Sequence, residues 1–386
     1  MTVASDSWRR IRRLRATPPF VAARDVDPRR TRVFQAALTQ AEELWEAASA
    51  VGAASRPLPL FYCLSQAGRA ICAAWKTESP WEPTGHGLSS RRQADDVDVP
   101  SFAVRVTREG EPMYGSVAEA TDTTVFEGDT TVAALWASLP DLPRAKEITA
   151  EQSQPLYIES AWPADGKRRT PLDFLGPKAA QLTFPRPRWA EPYEFGADEP
   201  FQSKRVEDDV LLQRIRDGFA DYPTLAGATV EIEEIEGTFQ PLREPVIRVP
   251  DETGESKSLH QFADSVPAAA GRRSVYVVRP RIGSGDGEPP SQLMTLWALL
   301  YAFSQLARYH PALWVAALNP DESTVAVDLE HALDASLELV PDLLLPAISN
   351  GAIPRLIREQ AERERLQQQA DAAQETVRDE AEEATE

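Results

Sequence analysis

The sequence predicts an α+β fold in which two buried helical segments pack into one helical core and flank a β-rich middle region of short strands. Three observations predict it. Residues 60–75 and 292–309 are apolar nearly all round, as buried helices are. From Ser101 the hydrophobic period changes to two, with Phe102, Val104 and Val106 alternating with Ala103, Arg105 and Thr107. Most of the 32 prolines lie between the two helical segments, so loops there are many and strands short. Strands and helices do not alternate regularly, which disfavours a doubly wound parallel sheet.

In order along the chain, residues 1–32 form a basic arm. They hold nine arginines against three acids, +6 locally, so the remainder of a chain of net charge −19 carries −25. Residues 33–90 form an N-terminal helical segment. Val33-Phe34, Ala37-Leu38, Ala41, Leu44-Trp45 and Ala48 predict an amphipathic helix over 32–50 with Thr31 as N-cap. A Gly/Ser/Pro turn leads into the first buried helix, and Pro80 and Pro83 forbid its continuation into Gly85-His86-Gly87. Residues 91–290 are the β-rich region. Strands are expected at 123–127, 156–160, 228–235, 245–249 and 274–279, with short helices at 131–139 and 206–219. Residues 291–353 form a C-terminal helical segment expected to pack on 33–90. In it the helix over 292–309 ends before Pro311, and a helix over 329–345 breaks or kinks at Pro341. Residues 354–386 are a charged helical or disordered tail.

Composition excludes several classes. The strong negative charge argues against coating nucleic acid with the whole surface. Cys63 and Cys72 are the only cysteines, nine apart in one apolar segment, and read as small buried hydrophobes rather than a disulfide framework or zinc site. No run approaches the ~18 apolar residues of a membrane span, and the arginine-rich start lacks the apolar core of a secretion signal. The cytoplasm is the expected compartment, and no membrane partner, cofactor or metal is expected.

The two buried helices echo each other. Leu60, Tyr62, Ser65, Gln66, Arg69, Ala73 and Trp75 match Leu299, Tyr301, Ser304, Gln305, Arg308, Ala312 and Trp314 at one offset of 239. On a helix, Tyr, Ser, Gln and Arg at this spacing fall within an arc of about 100°. A polar stripe on an apolar helix needs partners, because an unpaired buried polar group costs about 1–3 kcal/mol. Mutual packing about a pseudo-two-fold axis meets that need; chance similarity of two amphipathic helices is the alternative.

The residues carrying this echo resemble the YaaC-like proteins of bacteria. The resemblance rests on Arg56-Pro57-Leu58-Pro59-Leu60-Phe61-Tyr62, on Leu64-Ser65-Gln66-Ala67-Gly68-Arg69-Ala70-Ile71 and on Gly85-His86-Gly87. It rests as well on Ser304-Gln305-Leu306-Ala307-Arg308-Tyr309-His310-Pro311 followed by Trp314. It covers about residues 30–350 and implies a cytoplasmic bacterial protein, with no reaction attached.

Of the four histidines, His86 and His310 lie beside the two motifs and are the low-ranking acid–base candidates, with Arg308 as their cationic companion. A histidine in a turn is more often a structural hydrogen-bonder. His260 and His331 read as surface residues. Asp95-Asp96-x-Asp98 lacks the glycine and glutamate of a calcium loop. Gly283 to Gly287 precedes a helix as a phosphate loop does, yet its acids and the following double proline favour a connector.

Two functional readings follow. The first is a non-enzymatic binding or regulatory module in which Tyr62, Ser65, Arg69, Tyr301, Ser304 and Arg308 line a helical site for an anionic small molecule or partner. The basic arm is expected to dock an acidic surface of this chain or a protein partner, with RNA the less favoured choice. The second reading is a metal-independent ribonuclease using Arg308 and His310, from a resemblance to the HEPN helical ribonucleases. The departure is in spacing: Arg308 and His310 are two apart and Arg69 and His86 seventeen.

Overall fold

A computed structural model describes residues 3–19, 27–90, 98–160, 180–182, 191, 193–195, 203–235, 242–251, 254–259, 262–266 and 275–351. The helices are α1 (Val3–Ala16), α2 (Pro28–Ala50), α3 (Pro57–Trp75), α4 (Met113–Ala120), α5 (Val132–Ala137), α6 (Lys146–Thr149), α7 (Asp208–Gly218), α8 (Gln292–Tyr309), α9 (Pro311–Ala317) and α10 (Ala326–Asn350). The strands are β1 (Leu88–Ser90), β2 (Ala103–Val106), β3 (Asp129–Thr131), β4 (Leu156–Ser160), β5 (Ala180–Leu182), β6 (Tyr193–Phe195), β7 (Ser203–Arg205), β8 (Thr229–Ile235), β9 (Leu242–Arg248), β10 (Asp264–Val266) and β11 (Val275–Val278). The α+β class is thus the fold observed. The expected tail, 354–386, and His260 lie outside the described residues.

The chain divides into two compact units. One comprises Met1–Leu88, Thr107–Thr123 and Leu337–Glu386, and the other Ser89–Val106 and Thr124–Ser336. Helix α3 belongs to the first unit and α8 to the second.

In the first unit, α2 and α3 form a helical hairpin. Helix α2 starts earlier than its hydrophobic period suggests, because Asp27 caps it and Pro28 occupies its first turn. Asp27 Oδ1 accepts from Arg29 N at 2.8 Å, so Asp27, not Thr31, is the N-cap. Its buried stripe is Phe34, Ala37, Leu38, Ala41 and Ala48. At the far end Arg56 donates to the carbonyls of Ala48 and Val51, each at 3.3 Å, a cation on the negative end of the helix.

The basic arm is itself a helix, α1, docked on α2. Trp8 and Ile11 are 2% and 1% exposed, and the Trp8 ring lies 5.7 Å from Trp45. Arg12 Nε pairs with Glu42 at 2.5 Å and Arg15 donates to Thr39 Oγ1 at 2.9 Å. The arm therefore meets an acidic patch of its own chain, with apolar residues beneath the ion pairs.

The C-terminal part of α10 completes this unit. Trp45 Nε1 donates to the Leu337 carbonyl and Trp75 Nε1 to that of Ile348, both at 2.8 Å. Ser7 Oγ donates to Asp342 Oδ1 at 2.5 Å. Of the break or kink expected at Pro341, the break does not occur: α10 runs through both Pro341 and Pro346.

The inserted segment Thr107–Thr123 is tied in through Lys76, whose side chain is 5% exposed. Its Nζ lies 2.5 Å from Glu111 Oε2 and 3.7 Å from Glu119 Oε2. Burial pushes the Lys76 pKa down, but the hydrogen bond to Glu111 and the charges of Glu119 and Glu111 outweigh it, and the net shift is upward. A raised folded-state pKa means a contribution fully present below the unfolded value of about 10.4 and lost as pH rises through the folded value. Glu111→Gln should therefore lower stability by about 1–2 kcal/mol at neutral pH, a figure reduced for the partial exposure of Glu111. It should also flatten the alkaline decline that begins near pH 10, read as urea midpoints between about pH 9 and pH 12. Parallel alkaline curves for wild type and variant would refute the pairing.

The second unit is built on sheets. Strands β1-β2-β3 form one, β6-β7 a hairpin, and β10-β11-β4-β5-β9-β8 a six-stranded sheet. Its ladders are antiparallel, so it is not the doubly wound parallel sheet that the irregular alternation of elements disfavours. Leu156, Ile158, Leu182, Val230 and Ile247 of this sheet cluster with Leu211 and Ile215 of α7. The edge strand β8 carries Glu231, Glu233 and Glu234, with Glu233 paired to Arg248 at 2.6 Å; charge of this kind blunts an open edge. Helix α8 packs on α5, Phe303 lying 6.2 Å from the Trp136 ring and 5.3 Å from Trp314. No described helix is long and apolar enough to cross a membrane.

Candidate functional site

Each buried helix reaches solvent at few positions, along one narrow track in α3 and around the C-terminal turn in α8. From Leu60 onward, the residues of α3 that are not buried are Tyr62, Gln66 and Arg69. Their i, i+4, i+7 spacing confines them to an arc of about 60°. In α8, beyond Gln292, solvent reaches Gln305, Ala307, Arg308 and Tyr309. The echo is thus expressed as the same pair three residues apart, Gln66 and Arg69 in one helix, Gln305 and Arg308 in the other.

The serines of the echo have a different role. Both are buried, and each turns back on its own helix: Ser65 Oγ donates to the Phe61 carbonyl at 3.0 Å, Ser304 Oγ to the Tyr301 carbonyl at 2.7 Å. A hydroxyl satisfied in this way is a helix-internal hydrogen-bonder. The echo also stops at the arginines. Ala73 and Trp75 continue α3, whereas Ala312 and Trp314 belong to α9, because Pro311 ends α8.

The arginines are the exposed members. Arg69 makes no hydrogen bond or ion pair among the described residues. On the same face of α3, two turns earlier, Tyr62 lies half-buried against Phe61 and His86, with ring centroids 5.5 and 6.4 Å away. Arg308 Nη1 donates to Tyr309 Oη at 3.4 Å, and its guanidinium stands 5.6 Å from that ring's centroid. Tyr309, at 61%, is the most exposed large hydrophobic residue described. The echo passes over it because position 70, its counterpart, is an alanine.

Tyr301 is nearly buried, and its hydroxyl bonds to Ser90 through both backbone and side chain. Burial pushes its pKa up, and those hydrogen bonds offset part of the rise. This tyrosine is anchored within its unit.

His86 and His310 both sit at backbone junctions. The carbonyls of Gly85, His86 and Gly87 accept from Met113, Tyr114 and Thr107, and the His86 ring meets Phe61 edge-on at 5.2 Å. Gly87 has φ +78°, and a Cβ there would meet Pro112 and Tyr114 at 2.9 Å, so the turn needs its glycine. His310 links α8 to α9: its N–H donates to Leu306, its carbonyl accepts from Trp314, and its exposed ring lies 6.0 Å from Phe102. Arg308, Tyr309 and His310 are therefore consecutive exposed residues at one helix end. His331 is exposed on α10.

The remaining candidates resolve simply. Cys63 and Cys72 are buried, free thiols whose pKa values burial pushes up, so neither is a ready nucleophile. The Gly283–Gly287 loop spends its Ser284 N–H on the Glu127 carbonyl at 2.9 Å, and Arg281 pairs with Asp286 at 2.9 Å, as a connector does. Among the described residues no group of three or more His, Cys, Asp or Glu is placed to hold a metal ion.

The sequence matches a family model, that of the YaaC-like proteins, over residues 20–348. No curated protein and no solved structure matches the chain.

Proposed function

The chain belongs to the YaaC-like family, and on that premise we propose that it is a non-enzymatic binding or regulatory protein in which Arg69 of one unit and Arg308 of the other each offer a position for an anionic ligand or partner. What supports the reading is one observation: the polar positions through which both apolar helices reach solvent are the same Gln/Arg pair, Gln66–Arg69 and Gln305–Arg308. A planar guanidinium grips carboxylate or phosphate in a bidentate way, and an adjacent amide adds a neutral donor and acceptor. Tyr309 beside Arg308 supplies an aromatic face next to that cation, and tyrosine with arginine is enriched at recognition surfaces.

Thermal melting of the full chain with inorganic phosphate, nucleotides and dicarboxylates tests this. A ligand at about a hundred times its dissociation constant stabilises by about 2.7 kcal/mol. Arg69→Ala and Arg308→Ala should each remove the gain owed to its own position, and the double variant most of it, with the unliganded melting temperature nearly unchanged, since both side chains are exposed. Stabilisation equal in wild type and both variants would refute the assignment.

The ribonuclease reading rests on Arg308 and His310 lying at one exposed helix end. Labelled RNA incubated in the presence of a chelator distinguishes it. Cleavage lost in both Arg308→Ala and His310→Ala would replace the binding reading with the nuclease.

A further inference from the structure

The sheet-built unit holds a cavity whose lining includes neither Gln/Arg pair. It has a volume of about 180 Å³ and opens beside β10 and β11, walled by Thr224, Phe262, Asp264, Arg279, Glu288 and Pro289 among others. Drug-sized ligands occupy pockets of about 300–1,000 Å³, so this one suits a smaller molecule, of free amino-acid size.

Its polar groups are incompletely used. Arg279 is 6% exposed; its Nε pairs with Asp264 Oδ2 at 2.8 Å and its Nη1 donates to Thr295 Oγ1 at 3.3 Å. Among the described residues Nη2 has no partner, so a buried guanidinium keeps donors to spare. The Thr224 hydroxyl is buried with no hydrogen-bond partner, a costly state. Since no bond holds its rotamer, rotation about χ1 can turn it towards a ligand. On the rim, the Glu288 carboxylate is exposed and makes no ion pair among the described residues.

We propose that this cavity binds a small zwitterion, a free amino acid or a close analogue, with its carboxylate on Arg279 and Thr224 and its ammonium on Glu288 and Asp264. The charges select that class. A simple anion at the guanidinium would face two carboxylates, and a simple cation would face the unused donors of Arg279. A molecule carrying both charges satisfies each group with its complement.

The test is calorimetric titration and thermal melting of the full chain with the free amino acids, beside acetate and methylammonium. At least one amino acid should bind, while acetate and methylammonium at the same concentration should not. Thr224→Val and Glu288→Gln should each weaken that binding by about tenfold, the worth of one hydrogen bond to a charged group. Thr224→Val should leave the unliganded protein as stable as wild type or more so, because the lost hydroxyl had no partner. Three results would overturn the proposal: no amino acid binding at millimolar concentration, acetate or methylammonium binding as well as any amino acid, or binding unchanged in both variants.

Discussion

Replacing Gly351 with alanine is expected to cost the helical unit about 3–5 kcal/mol, enough to unfold it or leave it barely stable. Gly351 follows the last residue of α10 with φ +41°, the left-handed position that closes many helices. A Cβ there would overlap the indole of Trp75, which is 3% exposed and whose Nε1 is bonded to the Ile348 carbonyl. Neither the ring nor the turn can yield without losing that bond. Urea unfolding followed by tryptophan fluorescence measures the cost. The double variant with Trp75→Phe should recover part of it, a non-additivity expected of groups in contact. An unchanged midpoint in Gly351→Ala would mean that the indole moves freely.

Trp8→Ala is expected to release α1 at a cost of about 3–5 kcal/mol, the usual loss for truncating a buried tryptophan. Arg12→Ala should cost about 1 kcal/mol or less, because its side chain is 49% exposed and water screens its pair with Glu42. An undocked helix of 14 residues is marginal alone in water, so losing the anchor should also unfold it. Limited trypsin digestion separates the two effects. Cleavage within 9–15 should accelerate strongly in Trp8→Ala and little in Arg12→Ala. The reverse order would make docking electrostatic.

That contrast shows where the sequence is legible and where it misleads. The arginines of residues 9–15 are conspicuous and point to docking on an acidic surface; the anchors Trp8 and Ile11, three apart on a helix, hide beneath the charge. Helix α8 is legible to both ends, since an apolar run stopped by Pro311 leaves little freedom. Strand β4 is legible because Pro155 sets its start and Leu156 and Ile158 alternate with Tyr157 and Glu159. Helix α10 is not. Proline costs a helix about 3 kcal/mol in isolation, yet Leu333, Val340, Leu344 and Ile348 are all buried, and their packing outweighs the broken hydrogen bonds. The order of the six-stranded sheet lies in long-range pairings that no local pattern encodes. For the candidate site, residue types are legible but exposure is not. Ser65 and Arg69 share a stripe in sequence, yet one bonds to its own helix and the other faces solvent.

The make-up of the helical unit from distant stretches of chain has a consequence for its birth. Ser7, Trp45 and Trp75 take partners 335, 292 and 273 residues downstream. At a synthesis rate of about 5–20 residues per second, Trp75 waits roughly 15 to 55 s before Ile348 exists. During that interval α3, apolar nearly all round, has emerged from the ribosome without the carbonyls its indole will bond. The sheet-built unit, made entirely of sequence up to Ser336, can finish first. The nascent α2–α3 hairpin is therefore the stretch most exposed to chaperones, and the last to become native.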